Sequence, residues 1–201
     1  MNKRQFFKTL GALFVAPTLT VTTMTDTFAQ NKNSSKIAVV YYTRSGNTES
    51  VALAVRAATG ADIFRVETVE PYPEEYRATT KVVQEEIEKE ISRPIKPVAI
   101  DLSKYDVIIL ASPTWWYHIA APLATWIKSV DLSGKLILTC NTHGGSGVIN
   151  TRDDFEKLLP NCKLGTHFST YGSVGLKSRG VTSWLRENGL LKCDIRGLMC
   201  H

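Results

Sequence analysis

Three short runs in this sequence combine residue types that can hold a ligand as well as close a turn. Thr43-Arg44-Ser45-Gly46-Asn47-Thr48 gathers hydroxyls, a glycine and an asparagine directly ahead of a helical pattern. Such groups, with the free amides of a helix N-terminus, donate hydrogen bonds to a phosphate, and the helix dipole adds favourable charge. Neither Gly-x-x-x-x-Gly-Lys-Ser/Thr nor Gly-x-Gly-x-x-Gly occurs, so a monophosphate held by neutral groups fits better than a triphosphate or dinucleotide loop. An ordinary capped turn is the alternative. The second run is Ser112-Pro113-Thr114-Trp115-Trp116-Tyr117-His118. One or two of its adjacent aromatics would serve the core or an interface. At least one is placed to lie flat on a planar ligand, where offset stacking is worth about 0.5–1.5 kcal/mol beyond area burial. His118 reads as a solvent-facing or satisfied polar residue before it reads as a catalyst. The third run, Thr142-His143-Gly144-Gly145-Ser146-Gly147, has three glycines that let backbone amides approach the polar edge of a ring. A flexible turn explains it equally well.

The elements around these runs determine whether they meet. Ile37–Tyr42 is a continuous apolar run, the pattern of a strand covered on both faces. Ala61–Thr68, Val107–Ala111, Lys135–Asn141 and Lys163–Phe168 read as four further strands. Between them, Val51, Ala54, Val55 and Ala58 recur at helical spacing before Gly60. Val83, Ile87 and Ile91 mark a second helix, Pro122–Val130 a third, and Val181, Trp184 and Leu185 a last one that stops at Gly189. Thr151 and Asp154 predict a capping box ahead of Phe155, Leu158 and Leu159. Strand and helix alternating in this way predict an α/β fold, a doubly wound five-stranded parallel sheet with helices on both faces. In such sheets ligands bind beyond the carboxyl ends of the strands, where the strand order reverses, and all three runs leave strands at that edge. Together they make a site for a phosphate, a linker and a flat ring, the shape of FMN. The segment 70–97, with Pro71-Tyr72-Pro73 and an acidic helix, exceeds a minimal crossover and is open to reading as a surface decoration or a partner site.

From about Lys36 to Leu191 the sequence resembles the flavodoxin family, particularly its longer-crossover bacterial members. The resemblance rests on Thr43–Thr48, on Pro113-Thr114-Trp115 followed by Ala121-Pro122, and on the position of Thr142–Gly147. It implies the strand order 2-1-3-4-5 and a bound FMN. Ser45, Asn47 and Thr48 would hold the phosphate, with Arg44 adding charge or facing water. Thr114 and Trp115 would line the ribityl chain and one ring face. Thr142, Gly144, Gly145 and Ser146 would surround the ring edge. Many family members stack a tyrosine on the outer face from the third loop, and residues 142–147 contain none. Trp116 or Tyr117 would substitute, or that face stays open. The resemblance implies electron transfer with redox partner proteins or a small acceptor. A reductase using NAD(P)H or quinones is the alternative, with His118 or Tyr117 as first candidates for proton donation, and a cofactor-free scaffold is the third.

The first residues differ from the rest. Lys3, Arg4 and Lys8 precede an uncharged apolar and threonine-rich run from Thr9 to Thr25, and Thr27-Phe28-Ala29 offers small residues for cleavage before Gln30. This is the layout of a secretory signal over residues 1–29. Lys3-Arg4-Gln5-Phe6-Phe7-Lys8 resembles the twin-arginine type, which carries folded proteins. A linker of residues 30–35 and a single domain of residues 36–201 follow, and a periplasmic location is expected. The formal net charge is +5, with both signs interspersed and no basic block interleaved with aromatics, which argues against nucleic acid. Of four cysteines, Cys140 and Cys162 lie in apolar runs and read as inert core. Cys193 and Cys200 are the nearest pair for a disulfide in an oxidising compartment. No zinc spacing occurs.

Overall fold

The computed structural model describes residues 35–192. The expected signal over 1–29, all of the linker but its last residue, and the Cys193–Cys200 pair lie outside the described residues.

The apolar run at the start becomes β1 (Ile37–Tyr41), every residue of which is buried. α1 (Asn47–Thr59) buries Val51, Ala52, Ala54 and Val55 and stops at Gly60, whose φ of 74° is left-handed. Next come β2 (Asp62–Arg65), α2 (Tyr76–Glu88), β3 (Val107–Trp115), β4 (His118–Ile119), α3 (Ala121–Lys128), β5 (Leu136–His143), α4 (Thr151–Leu158), β6 (Lys163–Tyr171) and α5 (Arg179–Glu187). The parallel strands lie in the order β2-β1-β3-β5-β6. Counting parallel strands alone, this is the expected 2-1-3-4-5 sheet.

Alternation along each strand sorts the core into two layers. Ala38, Val40, Ile108, Leu110 and Ile137 pack under α2, α3 and α4, with Val83, Leu123, Trp126 and Phe155 from the helices. Val39, Tyr41, Ile109, Leu138 and Cys140 face the other way, against α1 and α5 through Val55, Trp184 and Leu185. The chain winds outward from β1 in both directions, so the crevice between the carboxyl ends of β1 and β3 is the switch point.

Several elements depart from expectation, β2 covering only Asp62–Arg65 of the expected Ala61–Thr68. β3 does not stop at Ala111 but runs to Trp115, turns in two residues and returns as β4, with Trp115 opposite His118. Pro113 is tolerated there because β1 pairs with β3 only as far as Ala111, so no neighbour on that side needs its missing N–H. α2 starts earlier, at Tyr76, and ends at Glu88 because Glu90 takes a φ of 51°, leaving Ile91 past the helix. α3 ends at Lys128, two residues short of Val130, with Ser129 as its C-cap. The capping box is absent: Asn150 precedes α4 without a side-chain cap bond, and Thr151 Oγ1 donates instead to the Val148 carbonyl. The Asp154 carboxylate is occupied elsewhere, accepting from the Ile119 N–H at 3.1 Å and lying 3.0 Å from His118 Nδ1.

Candidate functional site

The loop from β1 to α1 is built to present amides. Gly46 precedes α1 at φ 86°, and its N–H donates to Thr43 Oγ1 at 3.0 Å. A side chain in this left-handed conformation costs roughly 1–2 kcal/mol, which explains the glycine. Glycine brings no side chain to cap the helix, and the first amides of any helix have no intrahelical acceptor. The amides of Asn47 and Thr48 therefore open toward the sheet edge with the positive end of the dipole. Ser45 is exposed and Asn47 half-buried. The Thr48 side chain is fully buried, its hydroxyl 2.8 Å from that of Thr142, and this pair ties α1 to the end of β5. Arg44 lines a cavity and is also tied down. Its Nη2 donates to the carbonyls of Pro73, at 3.2 Å, and Glu74, clipping the long crossover to this loop.

The aromatic run divides its labour. Trp115 is half-buried and meets Tyr42 and Tyr72 edge-on, with centroids 5.6 and 4.9 Å apart. Trp116 and Tyr117 form the two-residue turn at φ 47° and 69° and stand half-exposed. Two positive φ values match the hairpin turn that normally demands Asn-Gly, so two aromatics here are strained. A hydrogen bond from Trp116 Nε1 to the Thr80 carbonyl, 3.1 Å, fixes the first of them to α2. His118 is not free for chemistry at Nδ1, which lies within 3.1 Å of both oxygens of Asp154.

The glycine run is partly strand. Thr142 and His143 end β5, and residues 144–147 form the loop. His143 Nδ1 accepts from the Gly145 N–H at 3.1 Å, and its ring meets Tyr171 edge-on. Asn141 is fully buried. Its amide nitrogen donates to Thr114 Oγ1 at 2.7 Å and to the Gly147 carbonyl at 3.0 Å.

A cavity of about 320 Å³ joins these parts. It is lined by Thr114, Trp115, Trp116 and Tyr117, by Gly144 and Ser146, and by Arg44. α2 contributes Tyr76, Thr79, Thr80 and Val83 to the lining. Among the described residues no acidic side chain or histidine lines it. The structure thus brings Arg44, Thr114–Tyr117, Gly144 and Ser146 to one cavity. Ser45, Asn47, Thr48, Pro113, Thr142, His143, Gly145 and Gly147 belong to its supporting loops and strand ends. The α2 wall went unnoticed in the sequence, although the length of segment 70–97 signalled it. Asn141, Asp154 and His167 were also missed. Each is a polar residue inside an element, and only tertiary pairing reveals its role.

Comparison with known proteins decides the family. The flavodoxin sequence model matches residues 36–187, three quarters of the chain. The chain belongs to the flavodoxin family. A curated relative in Cupriavidus metallidurans, named NAD(P)H dehydrogenase (quinone), is 31% identical over 127 residues, which cover 55% of this chain. The match spans only 60% of that relative's length. Among solved structures, a protein described as a flavoprotein, from Bacteroides eggerthii, superposes with a TM-score of 0.65 at 25% identity, covering 76% of this chain and 96% of its own. A flavoprotein in complex with FMN from Lactobacillus acidophilus gives a TM-score of 0.59 at 19% identity, covering 68% and 93%. The latter likeness is one of fold. The chain is a flavodoxin-family member, and a flavin is the cofactor that family implies.

Proposed function

We propose that this flavodoxin-family chain binds FMN and passes electrons between redox partners, the flavin supplying the electron chemistry when bound. The carrying observation is the convergence of three separate loops on one sheet edge: the helix N-terminus at Asn47 and Thr48, and Thr114, Gly144 and Ser146 around one cavity. The fit is chemical. A phosphate would find amides and the Ser45 hydroxyl, and a flat ring would find aromatic walls in a cavity of about 320 Å³. Trp115 and Thr114 would hold the ring and ribityl chain, while Trp116 and α2 exclude water from the far side. The outer wall therefore comes from Trp116, Tyr117 and α2 in place of a third-loop tyrosine.

A second reading, a two-electron reductase for NAD(P)H and quinones, is favoured by the aromatic cavity and by the name of the Cupriavidus relative. Export of the folded, loaded protein belongs to the same proposal and rests on the N-terminal pattern. Among the described residues no helix is long and apolar enough to cross a membrane. Titration with FMN and riboflavin tests the site. Loss of the phosphate should weaken binding at least about tenfold, the scale of a single charge-assisted hydrogen bond. Equal affinities would reject the phosphate loop. Steady-state turnover of NAD(P)H with a small quinone then separates reductase from carrier, since a carrier shows negligible turnover without a partner.

A further inference from the structure

A polar chain reaches the glycine loop from β6 through His167 and Asn141, which do not themselves line the cavity. His167 of β6 sits 2.8 Å from Thr139 Oγ1 through Nδ1 and 2.8 Å from Asn141 Oδ1 through Nε2. The Phe155 ring of α4 is 6.1 Å away. Directions along this chain are fixed by chemistry. The Gly147 carbonyl can only accept, so the Asn141 nitrogen faces it and also donates to Thr114. Asn141 Oδ1 must then accept, and His167 Nε2 must carry the proton. Nδ1 is left bare and accepts from the Thr139 hydroxyl. Because Thr114 Oγ1 receives a hydrogen bond, its own proton is free to point into the cavity that it lines.

We propose that His167 is a positioning residue: through Asn141 it holds the glycine loop by Gly147 and keeps the Thr114 hydroxyl as a donor into the cavity. This rests on the FMN reading for its ligand. An apolar side chain at 167 would pack against Phe155, but it would leave the Asn141 oxygen buried without a donor and its amide free to turn. Partly satisfied buried networks of this kind lose definition first. Burial also favours the neutral imidazole, pushing its pKa down to about 4, with Arg152 of α4 adding to the effect.

The test uses the full chain. Nitrogen-15 NMR of the apoprotein at neutral pH reads the His167 tautomer, expected as Nε2–H with a bare Nδ1. FMN affinity by fluorescence quenching is expected to fall about tenfold in His167→Phe, the cost of one unsatisfied buried acceptor. His167→Gln, whose amide can still donate to Asn141, should stay within about threefold of the native value on the same scale. A proton on Nδ1, or a folded Phe variant with native affinity, would overturn the assignment. Should the Phe variant fail to fold, a Gln variant with tenfold weaker binding would overturn it as well. A native protein that takes up no FMN would instead overturn the functional reading, and with it the role toward the ring, while the tautomer would stand as a feature of the fold.

Discussion

Trp116 and Tyr117 occupy a turn that aromatic residues rarely adopt, and among the described residues no side-chain hydrogen bond offsets the φ of 69° at Tyr117. Tyr117→Gly should therefore raise unfolding free energy by about 1 kcal/mol, the left-handed penalty less the entropy cost of glycine. The same change removes a cavity wall and should weaken FMN binding. Denaturant unfolding of the apoprotein and an FMN titration would read the two opposite signs, and a loss of stability would contradict the strain. His167 acts on stability through pH. Its folded pKa near 4 lies below the ordinary 6.5, so the unfolded chain binds the proton more readily. The contribution is complete above about pH 6.5 and is lost as pH falls toward 4. Native protein should lose more stability over that window than His167→Gln, as thermal melts at several pH values would record. Cys140 plays no such part: fully buried, its thiol is pushed up to about 12 and stays protonated.

At the scale of elements, α2 converts a long crossover into the outer wall of the site. Its position depends on Glu86, 5% exposed, which accepts from Tyr72 Oη at 2.5 Å and Arg93 Nη1 at 3.0 Å. The Arg93 guanidinium also lies 4.3 Å from the Tyr72 ring centroid and donates to the Glu70 carbonyl. Removing the cation leaves a buried carboxylate, so Arg93→Ala should cost about 2–4 kcal/mol and loosen the α2 wall. Hydrogen exchange should then rise in residues 70–97 before it rises in β1 or β3. Uniform exchange across the sheet would mean that the crossover does not behave as a separate wall.

For the whole molecule, charge sets the redox expectation. Acidic family members surround the flavin with negative charge, which opposes its reduced anionic form. Here the formal net charge of the full chain is +5, and among the described residues Arg44 is the charged one that lines the cavity. The bound flavin should have a less negative potential than in acidic members, and a redox titration giving a strongly depressed value would contradict this. Much of the architecture was legible in the sequence: continuous apolar strands such as Ile37–Tyr41, helical spacing in α1, and loops at one sheet edge follow from periodicity and burial. Less legible was anything set by tertiary contact. Pro113 and Thr114 look like loop residues until β5 pairs with the first, β4 pairs with the second and β1 has ended. Asp154 looks like a cap until β4 claims its carboxylate. His167 and Asn141 look like polar interruptions of strands until they meet.

The measurement that tests the central claim most directly is the visible absorption spectrum of protein residues 30–201 after FMN is added and the excess removed. Flavin bands that stay with the protein, shifted from those of free FMN and with fluorescence quenched by the aromatic walls, are the predicted result. A colourless protein that retains no flavin would contradict the account and leave the three loops as turns on a flavodoxin-family scaffold.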